Sequence, residues 1–497
     1  MRGPSSEPSP SASLLQRLLL AIKLGPSASF KLLPSTKMSP TVGPEIVPAS
    51  TLGPYGRPAV PMRRSSTSSL QSEADNVTLG TSPAYSTSSV SIPFKDCDVD
   101  VVRVEGLRHS GRRLEARRYK SPHFAAQLLH ILHTLRVPSW TNVEITLDDI
   151  EIHKVSGSMT NAVFFVSCSR VEGTRILLLR IYGPSSGALI SRPKELQTLH
   201  VLSSKYHIGP RVYGTFENGR VEEHFDATTL TAEDLRDPQI SSWIGARMAE
   251  LHDVDVQDVE EARGEDSHWD IAAMQNVQSW LIFAREVLAL PGVSGDVLRA
   301  LDLDAFESQW RQYAHWLQEV ESAEGVSRRV FAHNDTQYGN LLRLKALKDG
   351  MPEHRQIIVV DFEYSAPNAA AFDIANHFHE WTANYHSDVP HQLKPVLYPS
   401  KDERRNFYRS YITHTLATAD APASVSDEER DEAMARLDRQ VRVWSPASHA
   451  MWAVWGVVQA REMVESKDGE SEFDYLGYAA CRMEGFRREV SALGLSI

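Results

Sequence analysis

The sequence predicts an α+β protein of two lobes, with a small N-terminal lobe built on an antiparallel sheet and a larger, mainly helical C-terminal lobe. Short β-like runs are concentrated between residues 151 and 225, and apolar residues after Ser241 recur mostly at helical spacing. The 497 residues are too many for one ordinary domain, and 42% of them are hydrophobic, which is enough for a substantial core. We therefore divide the chain into residues 1–93, 94–225 and 226–497.

The first segment, residues 1–93, is dominated by Ser, Pro, Thr and Gly. Such a composition cannot bury enough apolar surface to offset chain entropy, so we expect a disordered extension. Within it, Arg63 and Arg64 precede two serines, a pattern typical of basophilic protein-kinase substrates with Ser66 as the acceptor; the pattern also fits a random Ser-rich tract. Residues 13–24 are apolar but fall short of the roughly 20 residues that a membrane-spanning helix needs, so no stable membrane insertion is expected. We expect an unstructured or transiently helical tail there; a weak amphipathic anchor or an organelle presequence is the alternative.

The second segment begins with a predicted helix over residues 123–135, where apolar residues recur at helical spacing until Pro138 ends it. Short β-like runs follow, separated by glycine-containing turns, and this arrangement predicts an antiparallel sheet. One helix interrupts the strands. The remaining predicted elements are strands over 151–155, 162–167, 176–181, 212–216 and 220–225, and a helix over 193–206.

The third segment is predicted to be largely helical. Trp243, Met248 and Leu251 belong to one apolar stripe, and similar stripes follow it. Two β-like runs, residues 341–344 and 357–360, interrupt the helices. The order of strands with one helix, followed by helices around a small hairpin, is the two-lobed arrangement of kinases.

Charge and cysteine content exclude several classes of protein. The formal net charge of −12 leaves no excess of Lys and Arg to neutralise phosphates, which argues against broad nucleic-acid binding. The three cysteines, Cys97, Cys168 and Cys481, lie far apart in sequence, so neither a disulfide framework nor a Cys-rich zinc site is predicted. A reducing, cytoplasmic setting is the simplest interpretation.

The residues with the clearest chemistry follow two predicted strands. Asp335 stands in the motif H-N-D, Asn340 comes five residues later, and Asp361 ends the apolar run of residues 357–360. Phosphoryl transfer needs one carboxylate to orient the attacking hydroxyl and accept its proton, and an amide and a second carboxylate to hold Mg²⁺. Oxygen ligands are those that Mg²⁺ prefers. The spacing therefore indicates a phosphotransferase.

These motifs resemble those of the choline/ethanolamine kinase family, especially its fungal choline kinases. The resemblance rests on H-N-D-x-x-x-x-N, D-F-E-Y and F-D-I-A-N-H-F-x-E-W, and it covers the chain from about residue 98 onward. It implies the protein-kinase-like, aminoglycoside-phosphotransferase-like fold and ATP-dependent phosphorylation of choline, the first step of the CDP-choline route to phosphatidylcholine. It further implies Asp335 as the catalytic base, Asn340 and Asp361 as Mg²⁺ ligands, and Gln337 and Glu363 as residues that line the active site.

The nucleotide would bind on the predicted sheet. Backbone N–H groups around Gly157 could cover the phosphates, although only one glycine stands where the family usually has two. Arg180 takes the place of the phosphate-binding basic residue on the third strand, with Glu195 as its expected ion-pair partner; a solvated Glu195 is the alternative. The predicted nucleotide contacts are Ser156, Gly157, Ser158, Arg180, Glu195 and the backbone groups of Glu223 and Phe225.

Choline carries a permanent cation without an N–H donor, so aromatic faces and carboxylates have to recognise it. Aromatic residues are frequent in the C-terminal part, and Trp452 and Trp455 fall near one helical face. By itself such a stripe also fits core packing. The similarity of A-S-H-x-x-W-x-x-W to the family favours a cation cage. Its expected members are Glu380, Tyr385, Trp452, Trp455, Phe473 and Tyr478.

Several polar residues are given structural roles instead. Asp373 is expected to bond the backbone of the catalytic loop, and His333 to orient it. His377 and His379 are two residues apart and do not face one another on a helix, so together with Glu380 they predict no zinc site.

Three other functions stay open at this point. The first is ethanolamine kinase, or a kinase of both substrates. The second is an aminoglycoside-type phosphotransferase. The third is an inactive scaffold, against which the complete set of Asp335, Asn340 and Asp361 argues. The family resemblance also allows a homodimer.

Overall fold

The computed structural model describes residues 103–104, 106–141, 144–157, 161–182, 191–260, 271–418, 425–465 and 473–496. The predictions made for residues 1–93, including Ser66, and for Ser158 lie outside these ranges. Within the described ranges, none of the helices is long and apolar enough to cross a membrane.

The smaller lobe is built on a six-stranded sheet in the order β1-β5-β6-β4-β3-β2. Neighbouring strands are antiparallel, as predicted, except that the two-residue edge strand β1 pairs with β5 in parallel. The elements are β1 His109–Ser110, α1 Pro122–Leu135, β2 Glu151–Gly157, β3 Asn161–Ser167, β4 Leu177–Tyr182, α2 Arg192–Val201, β5 Val212–Phe216 and β6 Gly219–Glu223.

Helix α1 covers the sheet, and its ends follow from local chemistry. Ser121 accepts a hydrogen bond from the backbone N–H of Phe124, and Pro122 occupies the first turn, where its missing N–H costs nothing. The helix ends at Arg136, whose φ of 50° lies in the left-handed region. Its apolar side chains, including Leu128 and Leu132, pack in one core with sheet residues such as Phe164.

The chain passes from this sheet to the larger lobe between Glu223 and Ala227. Strand β7 pairs with β9 in a three-stranded sheet of order β10-β9-β7, and β8 pairs with β11. The elements are β7 Ala227–Thr229, α3 Pro238–His252, α4 Val256–Val259, α5 Ala272–Leu288, α6 Gly295–Leu301, α7 Leu303–Glu324, β8 Arg329–Ala332, β9 Leu341–Leu344, β10 Ile357–Val359, β11 Ala366–Ala369, α8 Ala370–Glu380, α9 Lys401–Thr418, α10 Asp427–Gln459, α11 Arg461–Glu465 and α12 Tyr475–Ala492.

Helix α8 lies at the centre of the larger lobe, and each of its 11 residues is buried. Polar residues such as Asp373 and Asn376 are therefore desolvated, and each requires a partner. The long helix α10 and the last helix, α12, contribute to the same core, to which Trp452 and Tyr478 belong. This packing brings residues distant in sequence to the two ends of α8.

Candidate active site

The loop after β8 is held by Asp373, a buried carboxylate in the first turn of α8. Its oxygens accept hydrogen bonds from the backbone N–H groups of His333 (2.9 Å) and Asn334 (2.8 Å), and Oδ2 also lies 3.0 Å from Nε2 of His252. Burial alone would raise the pKa of Asp373, but the hydrogen bond from His252 and those from the loop backbone hold it below its usual value. The predicted structural role of Asp373 is confirmed.

His333 is also a structural residue of this loop, as expected. Its Nδ1 accepts a hydrogen bond from the backbone N–H of Asp335 at 3.3 Å, and its Nε2 lies 3.1 Å from the carbonyl oxygen of Val360. The ring is fully buried, and this burial lowers its pKa. His333 therefore connects the loop of Asp335 to the strand that leads to Asp361.

Two residues of the site have a left-handed backbone that non-glycine residues seldom adopt. Asn334 has a φ of 65° and Asp361 a φ of 67°. The conformation of Asn334 is fixed from several sides, because its side chain donates to the carbonyl of Tyr364 at 2.9 Å and accepts from Asn368 at 2.8 Å. Backbone strain of this kind, held by surrounding contacts, is typical of active sites.

Asn340 is bonded to Asp335 through its side-chain nitrogen. Nδ2 of Asn340 lies 2.9 Å from the backbone oxygen of Asp335 and 2.9 Å from its carboxylate Oδ2. Both contacts use the amide nitrogen, so Oδ1 is the atom of Asn340 that is suited to a metal ion. The amide thus orients the carboxylate while keeping an oxygen ligand of the type that Mg²⁺ prefers.

Several carboxylates meet where the two lobes face each other. Partial burial, and then the charges of Glu380 and Asp361, raise the pKa of Asp335 well above its ordinary value. Burial also raises the pKa of Glu363, with further contributions from Asp361, Glu195 and Asp335. These like charges disfavour ionisation of one another, and a bound cation would relieve this repulsion. The donor set of Asp361, Asn340 and the neighbouring carboxylates therefore fits Mg²⁺.

Arg180 faces a second arginine on the smaller sheet. Arg180 on β4 and Arg220 on β6 are opposite one another in register, and Glu222 lies 3.4 Å from Nε of Arg180 and 2.5 Å from Nε of Arg220. The expected ion pair is corrected by this geometry: Glu195 lies 2.7 Å from Nη2 of Arg220, while Arg180 contributes to Glu195 a weaker electrostatic effect. Glu195 is thus a buried ion-pair residue rather than a solvated one. Register between distant strands, which the sequence leaves open, explains the difference.

The remaining nucleotide predictions have different outcomes. Ser156 and Gly157 are the last residues of β2 and pair with Val163 and Ala162 on β3, which forms the expected hairpin. The backbone N–H of Glu223 is not available to adenine, because it donates to the carbonyl of Arg211 at 2.8 Å. Phe225 follows β6 in the crossing between lobes and is half-buried, so its assignment stays a prediction.

The predicted cage residues form one continuous group of rings. Trp455 lies 5.1 Å from Trp452 and 5.9 Å from Tyr478 between ring centroids, and Phe473 lies 5.7 Å from Tyr478 and 6.4 Å from Tyr385. The edge-to-face angles of the Trp455 pairs, 73° and 78°, are typical of aromatic clusters. Residues from three separate segments thus meet at one end of α8.

Both carboxylate oxygens of Glu380 accept hydrogen bonds from other side chains of the protein. Its Oε1 accepts a hydrogen bond from Nη2 of Arg482 at 2.9 Å, and its Oε2 accepts one from the hydroxyl of Tyr385 at 2.7 Å. Arg482 is fully buried and also donates to the hydroxyl of Tyr478 at 2.9 Å. The charge of Glu380 is therefore matched by a buried arginine.

Gln337 caps the short 3-10 turn that leads to Asn340. Its Oε1 accepts a hydrogen bond from the backbone N–H of Gly339 at 3.2 Å, and the residue is only 3% exposed. This contact holds the chain between Asp335 and Asn340. Its predicted contact with substrate stays a prediction.

Sequence reasoning missed three residues that the structure brings to the site. Tyr364 accepts a hydrogen bond from Nε1 of Trp455 at 2.7 Å and packs edge-to-face on Trp452 at 5.3 Å. Arg482 and Arg220 are the others. Tyr364 directly follows Glu363 in the D-F-E-Y motif, and this adjacency could have identified it. A lone arginine on a C-terminal helix carries no comparable signal.

A carboxylate cluster on a strained loop, facing paired arginines of a smaller antiparallel sheet, defines a phosphotransferase with the two-lobed kinase-like fold. The chain belongs to the choline/ethanolamine kinase family, because the model of that family, described as choline/ethanolamine kinase, matches residues 152–487. The predicted fold, family and enzyme class are confirmed.

Individual relatives agree with this assignment. The chain is 32% identical to a choline kinase from Schizosaccharomyces pombe, over 76% of this chain and 91% of the relative, and 30% identical to a choline kinase from Saccharomyces cerevisiae, over 71% and 66%. A solved choline kinase from Cryptosporidium parvum has the same fold, with a TM-score of 0.56 at 24% identity over 74% of this chain and 95% of the other.

Proposed function

We propose that this protein phosphorylates choline with ATP and Mg²⁺. The observation that carries the choice of substrate is the ring cluster of Tyr364, Trp452, Trp455 and Tyr478 beside the carboxylate cluster. The two sites are close enough for Asp335 to affect the pKa of Tyr478 and for Arg482 to affect that of Asp335. Choline bound with its ammonium group against these rings would thus lie near Asp335, the proposed acceptor of its hydroxyl proton.

Asp335 acts as the base in this proposal. The hydroxyl oxygen of choline forms a bond to the γ-phosphorus of ATP, the bond from that phosphorus to the β,γ-bridging oxygen breaks, and the hydroxyl proton passes to Asp335 while ADP leaves. Burial, and then the charges of Glu380 and Asp361, raise the pKa of Asp335 and so make it a stronger proton acceptor. Asn340 keeps the acceptor oxygen in place through its 2.9 Å hydrogen bond.

Other residues bind and neutralise the nucleotide. Asp361 and Oδ1 of Asn340 would hold Mg²⁺, which neutralises phosphate charge when bound. Arg180 supplies positive charge for the phosphates, while the buried Arg220 is paired with Glu195 and Glu222 and holds these carboxylates beside Arg180.

Ethanolamine is the second candidate substrate, because the family includes kinases of both alcohols. The contacts of Glu380 favour choline. Each of its oxygens accepts a hydrogen bond, from Arg482 or Tyr385, so the carboxylate is already oriented by the protein. The faces of the surrounding rings suit a cation that has no N–H to donate.

The test is steady-state turnover of choline and ethanolamine, measured side by side at saturating ATP and Mg²⁺. We expect a higher kcat/KM for choline and loss of both activities in Asp335→Asn. A higher kcat/KM for ethanolamine would replace choline by the second candidate. Absence of turnover with either alcohol in the folded protein would leave a nucleotide-binding scaffold as the function.

On the family resemblance alone, we also propose a cytoplasmic homodimer without membrane insertion. Light scattering of the purified chain and fractionation of cells test these proposals.

A further inference from the structure

We propose that His379, His449 and Glu489 bind a divalent transition-metal ion, with Zn²⁺ as the expected ion, behind the substrate pocket. His379 lies on α8, His449 on α10 and Glu489 on α12. The sequence pattern predicts no zinc site from His377, His379 and Glu380, because the two histidines do not face one another on a helix. The packing of the three helices brings His449 and Glu489 next to His379 instead.

The separations of the three groups suit a single ion. Nε2 of His449 lies 3.3 Å from Oε1 of Glu489, and Nε2 of His379 lies 3.8 Å from Oε2 of the same carboxylate. The ligand atoms all lie within 4.8 Å of one another. Atoms that surround Zn²⁺ tetrahedrally at about 2.1 Å are about 3.4 Å apart, so only small side-chain movements are needed. Nε2 of His379 also lies 2.9 Å from the hydroxyl and 3.3 Å from the backbone oxygen of Ser445, and the hydroxyl offers a fourth oxygen ligand once Nε2 turns from these contacts to the ion.

The second observation is a set of buried polar atoms that lack hydrogen-bond partners. Within the part of the chain that the structure describes, neither ring nitrogen of His449 has a partner, and neither does Oε2 of Glu489. His449 is only 2% exposed, so water does not compensate for these contacts freely. The ring packs closely on α12, since a Cβ atom at Gly485 would come within 2.6 Å of it. A bound ion would satisfy Nε2 of His449 and the carboxylate together.

The types of ligand favour a transition-metal ion. Two imidazoles and one carboxylate suit Zn²⁺ and similar ions rather than Mg²⁺, which prefers oxygen.

A second cluster of the same composition shows why charge selects this site. Glu250, His354 and His414 also bring their ligand atoms within 4.8 Å of one another. There, however, Glu250 is in contact with both Arg247 and Arg355, so two guanidinium groups repel a cation. Two arginines, Arg482 and Arg488, also lie near His449, but Arg482 is paired with Glu380 and Arg488 is exposed to solvent, and neither forms an ion pair with Glu489 among the described residues.

An ion at this place would join the three helices that carry the pocket. His379 directly precedes Glu380, His449 lies one turn before Trp452, and Glu489 lies two turns after Arg482. Glu489 is 23% exposed, which gives an ion a path from solvent. The role assigned to the ion is structural.

The test compares Zn²⁺ binding by the full chain and two variants after removal of metals with a chelator. Glu489→Gln removes the charged ligand without changing its size, and Glu484→Gln changes an exposed residue of the same helix. Binding is measured by competition with a chromophoric chelator. We expect wild type to bind one more equivalent of Zn²⁺ than Glu489→Gln, or to bind it with an affinity more than about 100-fold higher. Loss of a residue that only supports a ligand lowers metal affinity roughly 10- to 100-fold, and Glu489 is proposed as a ligand itself. Glu484→Gln should bind like wild type.

Two further measurements do not depend on activity. Zn²⁺ should raise the Tm of wild type and Glu484→Gln by more than that of Glu489→Gln, while the metal-free proteins unfold alike. With Co²⁺, His379→Cys should gain a thiolate-to-metal absorption band, because Cys is also a ligand for such ions. Any Zn²⁺ bound by the carboxylates of the candidate active site contributes equally to wild type and the variants, so it does not affect the differences between them. Equal Zn²⁺ binding by wild type and Glu489→Gln, or no thiolate band in folded His379→Cys, would overturn the proposal.

Discussion

The side-chain amide of Asn340 donates to both the backbone oxygen and the carboxylate of Asp335, in each case at 2.9 Å. The proposed proton acceptor and a proposed Mg²⁺ ligand are therefore held together by direct hydrogen bonds. Together with the electrostatic effect of Asp361 on Asp335, this contact would join proton transfer to metal binding in the proposed reaction. Substitution of Asp335 and substitution of Asp361 distinguish the proposed proton transfer from the proposed metal binding.

Asp335→Asn should abolish turnover and yet stabilise the fold at neutral pH. Loss of a general base costs roughly 10²–10⁴-fold in kcat. The pKa of Asp335 is raised in the folded state, so protonation stabilises the fold below the ordinary pKa of Asp, and this stabilisation is lost as pH rises through the folded pKa. The variant avoids that loss. Its Tm should exceed that of wild type at pH 7, with the difference closing toward pH 4; a lower Tm at pH 7, or more than a tenth of wild-type kcat, would contradict the assignment.

Asp361→Asn should disable the enzyme through loss of metal binding. Mg²⁺ should raise the Tm of wild type, because it relieves repulsion among Asp335, Asp361 and Glu363, and should raise that of the variant much less. Thermal unfolding over a series of MgCl₂ concentrations measures this, with the exposed Asp388→Asn as the control. An unchanged Mg²⁺ response in Asp361→Asn would exclude Asp361 as a ligand.

Trp455→Ala should raise the KM for choline by roughly 10- to 30-fold, since a desolvated cation–π contact is worth about 2 kcal/mol. The KM for ATP should change much less. Trp455→Phe keeps a ring face and loses only the hydrogen bond to Tyr364, so its KM should fall between the two. If the ratio of choline to ethanolamine kcat/KM is the same in all three proteins, Trp455 is a packing residue. Trp452 is less suitable for this test, because it is buried and bonded to Asn376.

Glu380→Gln should destabilise the protein by about 3–5 kcal/mol, because it leaves the buried charge of Arg482 unpaired. The double variant Glu380→Gln with Arg482→Met removes both charges and should recover part of that loss. Denaturant unfolding of the two single variants and the double variant measures the coupling. Additive effects would show that the two side chains do not act as a pair.

Deletion of residues 1–93 should leave kcat and both KM values close to those of the full chain, because this composition provides little apolar surface for packing. Purified protein of both lengths is compared in the same assay. A large fall in kcat/KM would assign the extension to the catalytic unit.

Local signals in the sequence predicted the elements and the catalytic loop well. The cap residue Ser121 and the spacing of apolar residues define helix α1. Asp335 and Asn340 are only five residues apart, so their spacing is visible in the sequence. The misses depend on long-range packing. Arg220 reaches Glu195 only through the register of β4 and β6, and Arg482 reaches Glu380 from a helix at the other end of the lobe. Neither contact leaves a period or spacing in the sequence.

Helix α8 has Asp373 near its beginning and Glu380 at its end, and it is buried along its length. At 1.5 Å per residue, the two carboxylates are separated by about 10 Å along the helix axis. One anchors the loop of the base and the other anchors the side chains around the cation. Because α8 is buried along its length, it holds the loop of Asp335 and the aromatic residues around Glu380 at a set distance, and in the proposed reaction that distance would limit the length of the amino alcohol.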